Sequence, residues 1–368
     1  MKISDMKIQL IKRDVESMSG HDIAHAGTSF LSGLAEVPIV RLLTDEGIEG
    51  ISCGRVGRIA AMALQTIRPV LLGKNPLYIE QIWQKIWEMD RIYQWPPSVL
   101  GTVDVAIWDI IGKAANMPLF QLFGAYRDKI RMYASAMQHP GTEDYVREAL
   151  ECKQRGYTAY KIHAHGGPQE HIAVCRAVRE AVGQDMILML DALGVYDRNQ
   201  ALMVGRELER LGFHWFEEPI PDTDMDGLIQ LSNALDIPVL TLEILAGNLY
   251  SRAPYVSRGA GDMIRSGTIW NGGITPLRKT MALAEAFGIN CEIHVSGNPW
   301  MSAANLHVAC ASKNCEFFEQ LIPESFWSFG VKQDFKRDNE SYIYAPDGPG
   351  LGVENDWDYI EDHTVEML

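Results

Sequence analysis

Apolar and polar positions alternate along MKIQLIKRDV, along residues 37–43 (VPIVRLL) and along residues 48–53 (IEGISC), and the last two runs flank the turn Asp45-Glu46-Gly47. The alternation predicts an antiparallel meander. Helical periodicity follows in IAAMALQTIRPVLL, in LYIEQIWQKIWEM from Leu77 and in VLGTVDVAIWDIIGKAAN, each with apolar residues recurring at three and four. Residues 1–125 are therefore expected to form an α+β unit. The stretch SGHDIAHAGTSF inside the meander carries no period and reads as an exposed loop able to act as a lid.

From Lys129 the texture changes to short apolar runs, each followed by an amphipathic stretch of helical length, which is the pattern of βα units and a parallel sheet. Eight strands are predicted: IRMYA from Ile130, AYKIH from Ala159, MILML from Met186, FHWFEE from Phe213, IPVLTLE from Ile237, DMIR from Asp262, INCEIH from Ile289 and CEFFEQ from Cys315. An open doubly wound sheet also alternates in this way, but the strand count favours a closed barrel. The expected organisation is a barrel over residues 126–330 and a C-terminal segment, 331–368, that returns to the first unit.

Polar groups fall at or near the ends of these strands: Lys161 and His163, Asp191, Glu217, Glu243, Asp262, His294 and Glu319. In a parallel barrel such ends share one mouth. Asp191, Glu217 and Glu243 recur at intervals of 26 residues, one βα unit, so three consecutive strands each present a carboxylate. A lone acid at a strand end usually caps a helix or joins a surface ion pair. Three together repel one another unless a cation compensates, and an all-oxygen set favours Mg²⁺ over Zn²⁺. Asp262 and His294, on neighbouring strands, are expected to pair as an imidazole and its orienting carboxylate. YKIHAH adds Lys161, His163 and His165, with Lys161 and His163 on one face of their strand.

Length and composition narrow the partners. The 368 residues are 47% hydrophobic and 22% charged, an ordinary globular composition, and the net charge of −15 argues against a phosphate-backbone partner, which needs clustered Lys and Arg. A small-molecule substrate is expected, with no nucleic acid and no membrane. Six cysteines without a CxxC pair lie mostly in apolar segments and read as buried thiols. The chain shows no secretory signal pattern and no long apolar span, so a cytoplasmic enzyme is expected, most simply a homo-oligomer.

The ordered set YKIH, LMLDA, WFEEP, the Glu of TLE, DMIR with GGIT, EIH and FFEQ resembles the mandelate racemase subgroup of the enolase superfamily, and the likeness extends to VDVAIWDIIGKAANMPLFQLFG and DGPGLGVE. The resemblance implies a (β/α)₇β barrel of the TIM type with an N-terminal capping domain completed by the C-terminal segment. It also implies removal of the proton α to a carboxylate, giving an enolate stabilised by Mg²⁺. By position, Asp191, Glu217 and Glu243 match the metal ligands, His294 with Asp262 the acid/base dyad, and Glu319 a hydrogen-bonding partner of the substrate carboxylate. Two departures stand out: Lys161-x-His163 replaces the Lys-x-Lys of many relatives, and SGTIWNGG is longer than expected before GGIT.

Candidate substrate contacts are His21, Asp22 and His25 in the N-terminal loop and Asn298 and Trp300 after the seventh strand. Such polar groups suit a hydroxylated molecule. The expected reaction is dehydration of a sugar acid to a 2-keto-3-deoxy acid. Racemisation or epimerisation by two bases is the rival within catalysis, and a barrel that only binds a ligand is the rival outside it.

Overall fold

The computed structural model describes residues 1–15, 24–25, 28–29, 34–247, 249–295 and 297–368. Strand β1 (Ile3–Lys12) is followed by a two-rung hairpin, β2 (Ala24–His25) and β3 (Thr28–Ser29), and by β4 (Glu36–Thr44) and β5 (Glu49–Cys53). Helices α1 (Gly57–Leu71), α2 (Ile79–Tyr93), α3 (Pro97–Ala114) and α4 (Leu119–Leu122) complete this unit. The predicted meander and its three long helices are thus present, the helices close to where the three-and-four spacing put them.

Eight parallel strands then alternate with helices: β6 (Lys129–Ser135), α5 (Thr142–Gln154), β7 (Ala159–His163), α6 (Pro168–Val182), β8 (Ile187–Asp191), α7 (Arg198–Arg210), β9 (Phe216–Glu217), α8 (Met225–Ala234), β10 (Val239–Thr241), α9 (Leu249–Arg258), β11 (Met263–Ser266), α10 (Ile274–Ala286), β12 (Asn290–Ile293), α11 (Pro299–Ala311) and β13 (Phe317–Leu321). Pairing of β13 with β6 closes the barrel. The chain ends with α12 (Glu324–Trp327), β14 (Tyr342–Tyr344), which pairs antiparallel with β6, then α13 (Trp357–Asp362) and β15 (Thr364–Met367). Strand β15 pairs with β1, giving a four-stranded cap sheet in the order β15-β1-β4-β5.

The barrel interior is layered by the period of two. Ala159, Met189, Trp215, Met263 and Phe317 form an apolar floor. Two residues further along the same strands stand Lys161, Asp191, Glu217, Arg265 and Glu319, all buried. Alternation alone therefore stacks a charged layer on a greasy one.

Cap and barrel meet along α3 and α11, both almost wholly buried. At the start of α10, a Cβ on Gly273 (φ 112°) would sit 2.4 Å from Asp104 Cβ in α3, so only glycine allows this approach. All six cysteines are free and buried, and no helix among the described residues is long and apolar enough to cross a membrane.

Candidate active site

Register across neighbouring strands assembles the mouth. His163 on β7 lies opposite Asp191 on β8, and Asp191 lies opposite Glu217 on β9, so three polar residues occupy one row. Glu243 joins them by an irregularity. Leu240 faces the interior floor, and strict alternation would aim residue 242 inward. Leu242 instead adopts φ 76°, which turns Glu243 to the axis. Left-handed non-glycine residues flank the other two carboxylates as well, at Leu193 (φ 54°) and Glu218 (φ 43°). Each costs about 1–3 kcal/mol, a strain that clusters where side-chain aim matters.

Ligand-type oxygens of Asp191, Glu217 and Glu243 lie within 4.8 Å of one another. Two cations face them. Lys161 Nζ is 3.3 Å from Asp191, 3.1 Å from Glu217 and 2.9 Å from Glu319. Arg265 Nε is 2.6 Å from Glu217 and 3.2 Å from Glu243, and Arg265 also donates to Glu319 and, at 2.6 Å, to the Tyr133 hydroxyl. Ser135 Oγ and the Val295 N–H hold Glu319 further, at 2.8 and 3.0 Å.

Burial raises the pKa of every carboxylate here, and its neighbours decide the outcome. Burial pushes Asp191 up, but Lys161 and His163 outweigh it and hold it well below the usual range. Glu243 is likewise lowered, because His294 and Arg265 outweigh burial. In Glu217 burial wins, helped by Asp191 and Glu243, and its carboxyl is raised well above the ordinary value. Four carboxylates, Asp191, Glu217, Glu243 and Glu319, thus converge on two fixed cations, Lys161 and Arg265. The crowding of acids that raises Glu217 and the all-oxygen donor set fit one divalent cation.

Imidazoles stand at two sides. His163 Nδ1 is 2.7 Å from the Ala136 carbonyl, which can only accept, so Nδ1 carries a proton and Nε2 is turned to Asp191 at 3.0 Å. His294 Nε2 is 3.0 Å from Glu243. Its Nδ1 is buried and has no partner among the described residues.

The expected dyad is not formed. Asp262 lies before β11, where its Oδ2 accepts from Val239 N–H at 2.9 Å and its own N–H donates to the Val239 carbonyl. Val239 opens β10, so Asp262 sits at the foot of the barrel, the end remote from the mouth. The strand begins after this residue rather than with it. The loop residue against His294 is Gly267, on which a Cβ would lie 3.1 Å from the His294 carbonyl oxygen.

Among the expected substrate contacts, Asn298 is 2% exposed and committed at both ends. Its Oδ1 caps α11 through Met301 N–H and its Nδ2 donates to the Cys53 carbonyl of the cap. Trp300 is fully buried, with Nε1 on Asn355 and its ring against Phe329, so it belongs to the core. His165 is exposed beyond β7 and does not join the cluster. His21 and Asp22 lie outside the described residues, as does the side chain of His25 in β2.

Sequence reading missed Arg265, Tyr133 and Ser135 at the axis, and Arg55 and Trp270 at the rim. Arg265 had a signal: it is two residues beyond Met263 in a strand whose facing side is already interior. Arg55 had none in periodicity, because it follows β5 in a turn.

A closed parallel barrel with metal-competent carboxylates at its mouth, joined to an α+β cap, is the architecture of enolase-type enzymes. Residues 144–359 match the enolase C-terminal domain-like family, and residues 14–124 match the mandelate racemase / muconate lactonizing enzyme N-terminal domain. The chain belongs to the mandelate racemase / muconate lactonizing enzyme family. It is 29% identical to arabinonate dehydratase of Saccharolobus solfataricus, over 88% of this chain and 90% of that one. It is equally 29% identical to N-succinyl-L-Arg/Lys racemase of Bacillus cereus, over 89% and 90%. The crystal structure of D-glucarate dehydratase from Agrobacterium tumefaciens, complexed with magnesium, superposes with a TM-score of 0.87 at 33% identity, covering all of both chains.

Proposed function

We propose that this enzyme is a Mg²⁺-dependent dehydratase of a sugar acid, an aldonate or aldarate. The observation that carries the reading is the trio Asp191, Glu217 and Glu243, the first two buried and the third partly so, with an imidazole at each of two sides. These three carboxylates would hold the cation, which when bound supplies electrophilic stabilisation of the charge that develops on the substrate carboxylate as its α-proton leaves.

The chain's own residues do the rest. Glu217 and Glu319 help to hold Lys161 protonated against burial and the repulsion of Arg265, so that it meets a substrate carboxylate as a cation. The two imidazoles divide the proton steps. One removes the α-proton; the other protonates the β-hydroxyl, which leaves as water, and tautomerisation gives the 2-keto-3-deoxy acid. Dehydratases among the relatives support this chemistry.

The same paired imidazoles favour a second reading, 1,1-proton transfer in a racemase or epimerase, the activity named for one relative. Incubation with Mg²⁺ and a panel of sugar acids, scored for 2-keto product and for deuterium uptake from D₂O, separates the two. Keto product is expected. Exchange without product selects the epimerase, and neither outcome overturns both. His294→Asn is expected to abolish turnover while sparing metal binding; a fully active variant removes His294 from the mechanism.

A further inference from the structure

Arg13 is a buried cation without an acid to answer it. It follows β1 in the cap and is 5% exposed. Its guanidinium lies over two rings of the segment after β13, 4.3 Å from the centre of Phe326 and 3.8 Å from that of Phe329. Nη2 donates to the Phe326 carbonyl at 2.6 Å, while Nη1 is buried and has no hydrogen-bond partner among the described residues. Two other buried arginines are better matched. Arg265 faces Glu217, Glu243 and Glu319, and Arg179 places its donors on four main-chain carbonyls. Burial lowers the pKa of Arg13 to about 10, and the groups that act against burial are the Cys53 thiol and the Tyr359 hydroxyl rather than a carboxylate.

Arg13 also lines a cavity of about 580 Å³ between the cap, α12 and α13, shared with Pro323, Phe326, Phe329, Tyr359 and His363. None of the residues lining it belongs to the charged layer at the barrel mouth. Asp14 and Asp356 stand in the same wall. Asp356 caps α13 through the Tyr359 N–H at 3.1 Å, and neither acid forms an ion pair with Arg13. The rings are held from behind, Phe329 against Trp300 and Phe326 against Trp327.

A buried charge is ordinarily paired, and a guanidinium cannot escape the cost by losing its proton. Ring faces compensate it in part and leave the donors on its edge open. Those donors form a fork that matches a carboxylate. The two acids in the wall oppose a second negative charge on the ligand, and the proline and phenylalanine side chains suit a hydrocarbon body.

We propose that Arg13, set over Phe326 and Phe329, binds the carboxylate of a small organic monoanion at a site separate from the barrel mouth, with the hydrocarbon part of the ligand against the apolar wall of this cavity.

The test is calorimetric titration of the full chain in Mg²⁺ buffer with benzoate, acetate and inorganic phosphate. Benzoate is expected to bind saturably, acetate more weakly for want of apolar contact, and phosphate at least about threefold more weakly than benzoate because the two acids repel its second charge. Arg13→Leu should abolish benzoate binding, and Arg13→Lys should weaken it at least about fivefold, since the charge survives and the fork does not. Arg13→Lys decides the matter where Arg13→Leu does not fold. Lys161→Met, which disables the mouth, should bind benzoate at this site within about twofold of wild type. The site is overturned if wild type shows no saturable binding, if Arg13→Lys binds as wild type does, or if binding disappears in Lys161→Met. Phosphate binding more tightly than benzoate overturns the monocarboxylate class.

Discussion

The buried carboxylates of α3 and Glu217 at the barrel mouth are held in opposite ways. Asp104 and Asp109 of α3, at the seam of cap and barrel, accept from backbone N–H groups. Asp104 receives Thr275 at 2.9 Å, and Asp109 receives Ile51 at 3.0 Å, Leu351 at 2.9 Å and the Lys113 ammonium at 2.7 Å. Glu217 at the barrel mouth is held by side chains, Arg265, Lys161 and Trp215. A carboxylate tied to main-chain donors of distant segments locks those segments together. Glu217, tied to side chains alone, can exchange them for a ligand without unfastening the main chain, whereas Asp191 and Glu319 at the same mouth each keep one main-chain donor, Leu193 and Val295.

The comparison breaks most sharply in paired substitutions. Glu217→Gln is expected to lower Mg²⁺ affinity by about 10³-fold or more and to stop turnover. The metal-free protein should not melt lower, because the change removes a charge that burial and two neighbouring carboxylates already oppose. Calorimetric titration and melting curves read both effects. Asp109→Ala should do the reverse, costing about 3–5 kcal/mol in urea unfolding as Lys113 and two backbone donors lose their partner, with metal affinity retained in the folded protein.

Asp262→Asn sharpens the contrast between foot and mouth. A foot position predicts about 1 kcal/mol of stability and turnover within about twofold of wild type. A loss of about 10²-fold or more would restore Asp262 to the acid/base machinery.

The smallest effect is in pH. Burial pushes Asp104 up to about 7, above its unfolded value of about 3.9. Between about pH 4 and 7 the folded state keeps a proton that the unfolded state has released, so this group's contribution to stability falls as pH rises through that window. Asp104→Asn should flatten that part of the melting temperature against pH; an unchanged slope would place the titration elsewhere.

The barrel was legible because its strands are short apolar runs at regular spacing, and the clustering of the carboxylate trio because three acids recur one βα unit apart. Asp262 was misplaced because DMIR has no internal mark to say which end is the mouth; the residue before the strand and the residue ending it look alike until a partner is known. Asn298 and Trp300 were misread because a helix cap and a core indole have the same composition as a ligand contact. Arg265 escaped notice because an arginine in a strand ordinarily faces water, and here the acids that reverse this come from β9, β13 and the segment after β10, far away in sequence.

The pairing of β1 with β15 places Gln9 beside Met367. During synthesis β1 emerges long before the strand that covers its side, and until then it presents bare main-chain donors and acceptors with only β4 alongside. Such an edge is a template for intermolecular association. The barrel, whose neighbouring strands are mostly separated by a single helix, can close first. Substitutions that slow this late pairing should therefore appear as aggregation of newly made protein, even where the finished enzyme is as stable and as active as before.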